Sequence, residues 1–265
     1  MIYVDFFKDL GKKIQQLNKF FGEKIASFEF EENPFGDVSV YIDKKAQEIV
    51  VESIIKESIK CTLLSEESGF LDFGQKYPLF IVDPIDGSLN AKRGIPYSAF
   101  SIAYSTSDSS DFINEAYVLN LSTSDEFFAS KSNGAYLNGK QIKKLSLKNY
   151  IAAIEGIKRQ TNLDDLKKIY KSFYRVRSMG SVALDLCYLA CGRIDVFFHI
   201  QPSRIIDFAA AKLIVEESGG VLLEFESKNL YNVPIDQEKH KPFWAVAELT
   251  NIDEFYNKVF MEESQ

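Results

Sequence analysis

The N-terminal segment carries apolar side chains at helical spacing, with lysines between them. These apolar positions are Phe6, Phe7, Leu10, Ile14, Leu17 and Phe21. Residues three and four apart share one face of a helix, so the pattern predicts an amphipathic helix. A second helix is predicted from Asp43, a typical N-cap residue, through Ile54. Between the two helices, residues 29–41 are acidic and contain Pro34 and Gly36, which favours a loop or a mobile flap.

Short apolar runs in the middle of the chain predict strands. Leu63-Leu64 predicts a short one, and Leu79-Phe80-Ile81-Val82 predicts a buried one whose end is marked by Pro84 and Gly87. The spacing of the β-like stretches that follow is typical of an antiparallel meander. These stretches are residues 97–105, 113–121, 126–130 and 134–137.

The pattern changes near residue 146, where helix-like and strand-like stretches begin to alternate. The helix-like stretches are 162–173, 181–191, 207–218 and 251–261, and the strand-like ones are 151–156, 195–199, 220–225 and 243–247. No Pro-rich linker separates the two patterns, so the break indicates a change of layer. We therefore divide the chain into an N-terminal α+β region, 1–145, and a C-terminal α/β region, 146–265.

Composition excludes several classes of protein. The chain has 265 residues and a net charge of −7, which argues against a basic nucleic-acid-binding face. Its three cysteines, an odd and sparse number, favour a reducing compartment over a disulfide framework. No apolar run approaches the roughly 18 residues of a membrane span, and charged residues interrupt the N-terminal segment, unlike a signal peptide. We expect a cytoplasmic protein without nucleic-acid or membrane partners.

The most informative stretch is Asp83-Pro84-Ile85-Asp86-Gly87-Ser88. It places two carboxylates where a buried strand ends, beside a turn that can open a helix. Like charges this close repel each other unless a positive charge lies between them. Strand ends next to helix starts are also where α/β proteins bind phosphate. Acids beside a phosphate pocket imply a divalent metal, since otherwise the acids would repel the phosphate.

Two other acidic positions resemble Asp83 in their setting. Glu66 and Glu67 follow an apolar run, and Asp207 lies near the first turn of a predicted helix that ends at Gly219-Gly220. Ordinary explanations exist for each position: a turn, or an acid that complements a helix dipole. Taken together, these acids are hard oxygen ligands without histidine or cysteine, which favours Mg²⁺ or, as a substitute, Mn²⁺.

Two further patterns have simpler explanations. Residues 134–140 match most of a P-loop, but Gln141 stands where Ser or Thr is required, and Asn138-Gly139 favours a hairpin turn. Cys187 and Cys191 share a predicted helical face without further ligands at zinc-site spacing, which indicates two buried thiols.

The chain resembles the inositol monophosphatase family of Mg²⁺-dependent, Li⁺-sensitive phosphatases. The resemblance rests on several motifs in the family's order. They are the Glu66-Glu67 pair, Asp83 to Ser88, the hairpin at 134–140, the stretch from Gly180-Ser181 to Asp195, and Asp207 to Gly220. It implies an α/β (α+β) protein built as a layered α-β-α-β-α sandwich of the sugar phosphatase type. In that sandwich the N-terminal sheet is antiparallel and the C-terminal sheet is smaller and mixed. It also implies a homodimer.

The resemblance assigns roles to residues by motif position. The first metal would be held by Glu66, Asp83 and the Ile85 carbonyl, and the second by Asp83, Asp86 and Asp207. A third, weaker metal would sit at Glu66, with Asp37 or Glu32 of the 29–41 flap as a candidate further ligand. The attacking water would be oriented by Asp43 and Ser88, and the Gly87 and Ser88 amides would bind the phosphate. The reaction implied is direct attack by an activated water, without a phospho-enzyme.

Departures from the family pattern bear on the substrate. Ser88 replaces the commoner Thr, Ile206 replaces a Trp before the late Asp, and His199 lies where many members have an acid. The missing Trp, together with three nearby arginines, looks more like the archaeal branch, which handles both inositol monophosphate and fructose 1,6-bisphosphate. The expected substrate-binding residues are Arg177, Gly180, Ser181, Arg193, His199 and Arg204.

Three alternatives remain open from the sequence. In the first, the reaction is the same but the substrate is 3′-phosphoadenosine 5′-phosphate or another nucleotide phosphate. A haloacid-dehalogenase-like phosphatase needs Asp-x-Asp near its first strand, whereas this chain has Asp83-x-x-Asp86. An inactive metal-binding relative that acts as a scaffold is the alternative outside enzymes.

Overall fold

The computed structural model describes residues 2–34, 38–145, 149–159, 161 and 163–261. The helices found in these ranges are α1 Val4–Gln15, α2 Tyr41–Lys56, α3 Ser88–Arg93, α4 Leu163–Ser172, α5 Val182–Ala190, α6 Ile205–Glu217 and α7 Ile252–Tyr256. Shorter 3₁₀ turns are Gln16–Phe20, Lys24–Ser27, Ser110–Phe112 and Leu249–Asn251, and Asn257–Met261 is a π-helical turn. None of the helices that the structure describes is both long and apolar enough to cross a membrane.

The strands fall into two large sheets and two small ones. In the N-terminal half they are β1 Glu29–Glu32, β2 Val38–Val40, β3 Thr62–Ser65, β4 Gly69–Asp72, β5 Leu79–Asp86, β6 Ala99–Ser105, β7 Ile113–Asn120, β8 Glu126–Ser130, β9 Ala135–Leu137 and β10 Lys140–Gln141. In the C-terminal half they are β11 Ile151–Glu155, β12 Arg175–Arg177, β13 Val196–His199, β14 Ser203–Arg204, β15 Val221–Glu224, β16 Lys239–His240 and β17 Phe243–Val246.

The larger sheet has eight strands in the order β10-β9-β8-β7-β6-β5-β3-β4. All of its pairs are antiparallel except β3 with β5, which run parallel. The second sheet has five strands in the order β12-β11-β13-β17-β15 and is mixed, with parallel β11 pairs and antiparallel β17 pairs. The smaller mixed sheet is therefore confirmed, and the larger sheet is antiparallel as predicted apart from the β3–β5 pair. The remaining strands pair as β1 with β2 and β14 with β16.

Alternation along the strands builds the layers. In β5, Phe80 and Val82 pack with the outer helices α1 and α2, whereas Leu79 and Ile81 pack with α5 and α6. In β13, Phe197 faces the same central helices. Its neighbours pack on the far side, in a third cluster with α4 and α7. Because successive side chains of a strand point to opposite faces, two sheets with three helical layers follow, as the resemblance implied.

The boundary predicted at residue 146 falls beside residues 146–148, which lie outside the described residues. Every strand of the eight-stranded sheet precedes that point, and every strand of the five-stranded sheet follows it. The central hydrophobic cluster nevertheless contains side chains from both sheets and from α5 and α6. The two regions thus share one core, and the division into 1–145 and 146–265 stays a prediction.

Three local predictions need correction. Helix α2 begins at Tyr41 with Val40 as its cap, so Asp43 lies inside the first turn and is not the N-cap. Strand β5 does not end at Pro84 but continues to Asp86. Part of the predicted loop at 29–41 pairs as β1 and β2; Asp37 and the Glu32 side chain, considered as ligands of a third metal, lie outside the described parts.

Helix α1 approaches the large sheet closely at Gly11. A Cβ atom there would lie 2.8 Å from Cε1 and 2.9 Å from the hydroxyl of Tyr117, which is fully buried in β7. We expect Gly11→Ala to lower the free energy of unfolding by about 1–3 kcal/mol through overpacking. Helix propensity alone predicts the opposite, a gain of about 1 kcal/mol. Chemical denaturation decides, with Lys12→Ala on the exposed face as the control; a more stable Gly11→Ala protein would contradict this packing.

Candidate active site

An irregularity in β5 brings Asp83 and Asp86 to the same side of the sheet. Asp83 pairs with Ser101 of β6 and Asp86 pairs with Ala99, so three steps along β5 oppose two along β6. In a regular strand, side chains three residues apart point to opposite faces. The extra residue of this bulge cancels that reversal. Pro84, which has no amide hydrogen to donate, lies within the bulge, where a proline disturbs a sheet least.

Protein donors fix the orientation of both carboxylates. Asp83 Oδ1 accepts a hydrogen bond from the amide of Ile85 at 3.0 Å. Asp86 Oδ2 accepts from the Ser181 hydroxyl at 2.5 Å and from the Ala183 amide at 2.8 Å. Ser181 caps α5 and Ala183 belongs to its first turn, where a negative charge is favourable. Asp86 therefore ties the end of β5 to the start of α5.

The turn after β5 is shaped by close backbone contacts. Gly87 has φ +85°, and a Cβ atom there would lie 2.9 Å from the Gly180 carbonyl oxygen and 3.0 Å from that of Tyr97. Only glycine fits such a conformation against two backbone oxygens. Helix α3 begins at Ser88, whose hydroxyl donates to the Ile85 carbonyl at 2.8 Å. The predicted phosphate-binding pair thus occupies a tightly enclosed turn.

Asn90 joins α3 to the loop before α5, a role that the sequence did not suggest. Its Nδ2 donates to the carbonyl oxygens of Tyr97 at 2.8 Å and of Met179 at 2.7 Å. A Cβ atom on Gly180 would lie 2.9 Å from that same nitrogen. The start of α3 and the start of α5 are therefore held against each other.

Helix α2 supplies Asp43 and braces the turn that carries Glu66. Gln47, one helical turn after Asp43, accepts from the Ser65 hydroxyl at 2.5 Å and donates to that of Ser68 at 2.9 Å. Asp43 is buried, and its Oδ1 has no hydrogen-bond partner among the described residues. Gln47 was missed from the sequence, although a polar residue four positions after Asp43 lies on the same helix face.

Helix α6 brings in Asp207, in its first turn as predicted. Asp207 Oδ2 accepts a hydrogen bond from the Arg204 amide at 3.1 Å, which caps the helix. Arg204 is buried, and its positive charge lowers the pKa of Glu66. The sequence predicts a substrate-binding role for Arg204, and the structure adds its electrostatic interaction with Glu66.

The acids assigned to metals and water lie within electrostatic reach of one another. They are Asp43, Glu66, Asp83, Asp86 and Asp207. Burial, and then repulsion from the other acids, raises the pKa values of Glu66 and Asp83 well above their ordinary range. Burial raises the pKa of Asp43 to about 7, with repulsion from Glu67 adding to it. The pKa of Asp86 also rises to about 7, mainly through burial and despite its two hydrogen bonds.

These carboxyl groups do not form a finished metal cage. Among the residues that the structure describes, no three His, Cys, Asp or Glu side chains are grouped so that they could hold an ion as they stand. The Asp83, Asp86 and Asp207 carboxylates each accept a hydrogen bond from a protein donor. The cluster is thus a concentration of buried negative charge that repels itself.

The structure places one of the expected substrate-binding residues in a buried position and two others in a groove. His199 is buried at the end of β13, where its Nδ1 lies 2.7 Å from the Gln201 carbonyl oxygen and its ring stacks on Phe243. Burial lowers its pKa to about 4, so its ring is neutral near pH 7. Arg177 and Arg193 line a groove together with Tyr97, Met179 and Tyr188, among others.

Two further buried acids were missed from the sequence. Glu155, at the end of β11, accepts hydrogen bonds on Oε1 from the amides of Met179 at 2.8 Å and Gly180 at 2.7 Å. Asp185, in α5, accepts one from the hydroxyl of Tyr97 at 2.7 Å. Glu155 ends an apolar strand just as Asp83 does, and Asp185 interrupts an apolar helix. Both signals were therefore present in the sequence.

Comparison with known proteins identifies the family. The model of the inositol monophosphatase family matches residues 6–257. The fructose-1,6-bisphosphatase/inositol-1-monophosphatase of Archaeoglobus fulgidus is 36% identical over 210 residues, which is 78% of each chain. The protein of the same name from Methanocaldococcus jannaschii is 30% identical over 224 residues, 82% of this chain and 84% of that one. A crystal structure of an inositol monophosphatase-fructose 1,6 bisphosphatase gene product has a TM-score of 0.85 at 25% identity, covering 97% of this chain and 100% of that one. The chain therefore belongs to the inositol monophosphatase family, as a phosphatase of its archaeal fructose-1,6-bisphosphatase/inositol-1-monophosphatase branch.

Proposed function

We propose that this phosphatase is a Mg²⁺-dependent phosphomonoesterase of small sugar or polyol phosphates, namely fructose 1,6-bisphosphate, inositol 1-phosphate or both. Water attacks the phosphorus directly in the proposed reaction. The observation that carries the proposal is the cluster of five carboxyl groups, three buried and two half-buried, beside the start of α3. The names of the archaeal relatives support the substrate class.

The cluster fits a divalent cation on chemical grounds. Its members are carboxylates, the hard oxygen ligands that Mg²⁺ and Mn²⁺ prefer. Burial, and then repulsion between the acids, raises the pKa values of Glu66 and Asp83, and the Oδ1 of Asp43 is a buried oxygen without a partner in the described structure. We assign one ion to Glu66, Asp83 and the Ile85 carbonyl, a second to Asp83, Asp86 and Asp207, and a weaker third to Glu66.

Side chains and backbone amides of the chain have separate roles in the proposed reaction. When bound, divalent ions in such a site neutralise phosphate charge and lower the pKa of water. Asp43 accepts a hydrogen bond from the attacking water on its unpartnered Oδ1. The Ser88 hydroxyl, which already donates to the Ile85 carbonyl, accepts one on its oxygen. The amides of Gly87 and Ser88 bind the phosphate. This arrangement orients the water without a covalent intermediate.

Specificity is assigned to groups around this centre. We propose that Arg204, Gly180 and Ser181 hold the substrate close to the acids. The exposed guanidinium groups of Arg177 and Arg193 belong to a groove that shares Tyr97 with the turn at Gly87. Positive charge there suits a second phosphate of a bisphosphate.

We also propose that His199 contacts the substrate, that the protein is a homodimer and that it is cytoplasmic. His199 is neutral near pH 7, and its Nδ1 donates to the Gln201 carbonyl oxygen, so in this assignment its Nε2 accepts a hydrogen bond from a sugar hydroxyl. The three cysteines are free and buried, which supports a reducing, cytoplasmic compartment. Size-exclusion chromatography with light scattering tests the homodimer.

Substitution of the proposed ligands tests the metal chemistry. We expect Asp83→Asn and Asp207→Asn to abolish Mg²⁺-dependent phosphate release while the circular dichroism spectrum stays unchanged. The loss should exceed the roughly 10- to 100-fold that removing a hydrogen bond to a metal ligand costs. Asp9→Asn is the matched control, because Asp9 is an exposed carboxylate that pairs with Lys13. Near-normal activity in both ligand variants refutes the assignment.

The pKa shifts predict how pH affects the metal-free protein. Because the pKa values of Asp43 and Asp86 rise from 3.8 to about 7 on folding, the folded state holds protons that the unfolded state has lost. The contribution of these two groups to the free energy of unfolding therefore falls as pH rises from about 4 to about 7. Mg²⁺, which competes with those protons, should raise Tm more at about pH 8 than at about pH 5.5.

A neutral substitution should relieve the same repulsion. In chelator at about pH 8, we expect Asp83→Asn to raise Tm by at least about 2–4 °C, the shift that 1 kcal/mol produces in a domain of this size. Asp9→Asn should leave Tm unchanged. Differential scanning calorimetry measures both variants; a lower Tm for Asp83→Asn without metal would show that the carboxylates do not repel one another.

A substrate panel tests the proposed activity itself. We expect Mg²⁺-dependent phosphate release from fructose 1,6-bisphosphate or inositol 1-phosphate, inhibited by Li⁺, and a lower kcat/KM for 3′-phosphoadenosine 5′-phosphate. A higher kcat/KM for the adenosine bisphosphate would transfer the assignment to nucleotides. No release from any of the three substrates, with correctly folded protein, would favour the inactive scaffold.

A further inference from the structure

The loop before α5 is held between two buried carboxylates. On one side, the Met179 and Gly180 amides donate to Glu155 Oε1 at 2.8 and 2.7 Å. On the other side, Ser181 and the first turn of α5 donate to Asp86. Glu155 belongs to the five-stranded sheet and Asp86 to the eight-stranded sheet. The loop therefore connects the two sheets through hydrogen bonds to charged groups.

Asp185 lies behind this loop and is fully buried. Its Oδ1 accepts the Tyr97 hydroxyl at 2.7 Å. Its Oδ2 is buried as well, and no donor among the described residues faces it. The Glu155 and Asp185 carboxyl groups are close enough for a hydrogen bond between them to lower the pKa of Glu155 and raise that of Asp185. Because an ionised carboxylate can only accept hydrogen bonds, such a bond requires that one of the two carries a proton.

The surroundings indicate which of the two is protonated. Two amides donate to Glu155, which favours its ionised form. Asp185 has no exposed surface and only a phenol donor. Burial raises the pKa of both acids, that of Asp185 most strongly, whereas the amides oppose the rise at Glu155. The missing donor at Asp185 Oδ2 is then explained, because that atom is itself the donor.

We propose that Glu155 is a positioning residue for the phosphatase reaction: it shares one proton with Asp185, carried by Asp185 Oδ2, and its remaining negative charge fixes the loop that orients Asp86. The inference rests on the proposed role of Asp86 in the active site. Without the shared proton, Glu155 and Asp185 would both be negatively charged, and their repulsion would disturb the loop that holds Asp86. With the shared proton, only Glu155 is charged, and the Met179 and Gly180 amides stabilise that charge.

Few neighbouring groups change charge near neutral pH. The titratable or charged groups that face the pair or its direct neighbours are Tyr97 before β6, Asp86 on β5, Tyr188 on α5, His199 on β13 and Lys158 after β11. Burial raises the pKa values of both tyrosines, and that of His199 is about 4, so all three are neutral near pH 7. Bound Mg²⁺ keeps Asp86 ionised, so the test uses Mg²⁺-loaded protein.

Matched amide variants separate the two acids. In Asp185→Asn, the amide nitrogen donates to Glu155 as the proton did, and the oxygen still accepts from Tyr97. We expect kcat within about threefold of wild type and an unchanged Tm near pH 7. In Glu155→Gln, the amide donates to Asp185 and moves the charge onto it, away from the two backbone amides. We expect kcat to fall about 10- to 100-fold with little change in KM.

Readouts without catalysis test the proton itself. Since the pKa of Asp185 is raised well above 3.8 in the folded state, the folded protein keeps a proton that the unfolded chain has lost, and the free energy of unfolding of the wild type falls as pH rises above about 4. Asp185→Asn should lack that fall in Tm, whereas Asp185→Ala should lower both Tm and kcat. The infrared band of a protonated carboxylic acid should be present in Mg²⁺-loaded wild type and absent from Asp185→Asn.

The outcomes separate this inference from the proposed function. Three outcomes overturn the shared proton: an Asp185→Asn protein as impaired as Glu155→Gln, a fall in Tm with rising pH that is equally large in wild type and Asp185→Asn, or the absence of the infrared band in wild type. A wild-type protein that releases no phosphate overturns the proposed function, while the Tm and infrared results still decide the proton. Normal kcat in Glu155→Gln overturns the positioning role alone.

Discussion

The constraint on which the structure depends is the burial of several like-charged carboxyl groups in one small volume. Such groups repel one another, and water cannot screen them where they are enclosed. The fold holds them in place with directed hydrogen bonds from separate elements: Ile85 to Asp83, the start of α5 to Asp86, and Arg204 to Asp207. The acids therefore keep their positions through the scaffold, and their charge remains available to a cation.

The layered core makes this arrangement rigid. All eight residues of β5 are buried, and its alternate side chains belong to two separate hydrophobic clusters. The strand end that carries Asp83 and Asp86 cannot move toward solvent without breaking the packing on both faces. Close backbone contacts at Gly87 and the hydrogen bonds of Asn90 extend that rigidity to the starts of α3 and α5. The acids at this end of β5 are therefore carried by rigidly packed elements.

Charge is also balanced across the two sheets. Arg204 lowers the pKa of Glu66 from within the cluster, and the Glu155 charge raises that of Asp86 from the neighbouring sheet. A proton shared between Glu155 and Asp185 limits that second influence to one negative charge. The loop before α5 is thus the structural link between the five-stranded sheet and the proposed metal site. The core common to both halves lets this link act over a short distance.

The sequence by itself determined the elements and much of the acid set. Alternating or helical apolar patterns located most strands and helices to within two residues, and acids at the ends of apolar runs marked Glu66 and Asp83. The tertiary structure decided what depends on pairing between distant segments. The bulge that aligns Asp83 with Asp86 exists only in register with β6, and Gln47 is informative only beside the turn that it braces. Glu155 and Asp185 form one unit because β11 and α5, thirty residues apart, meet in the core. Local patterns record which face of an element is apolar, whereas these relations arise from contacts between faces, which no single segment of the chain specifies.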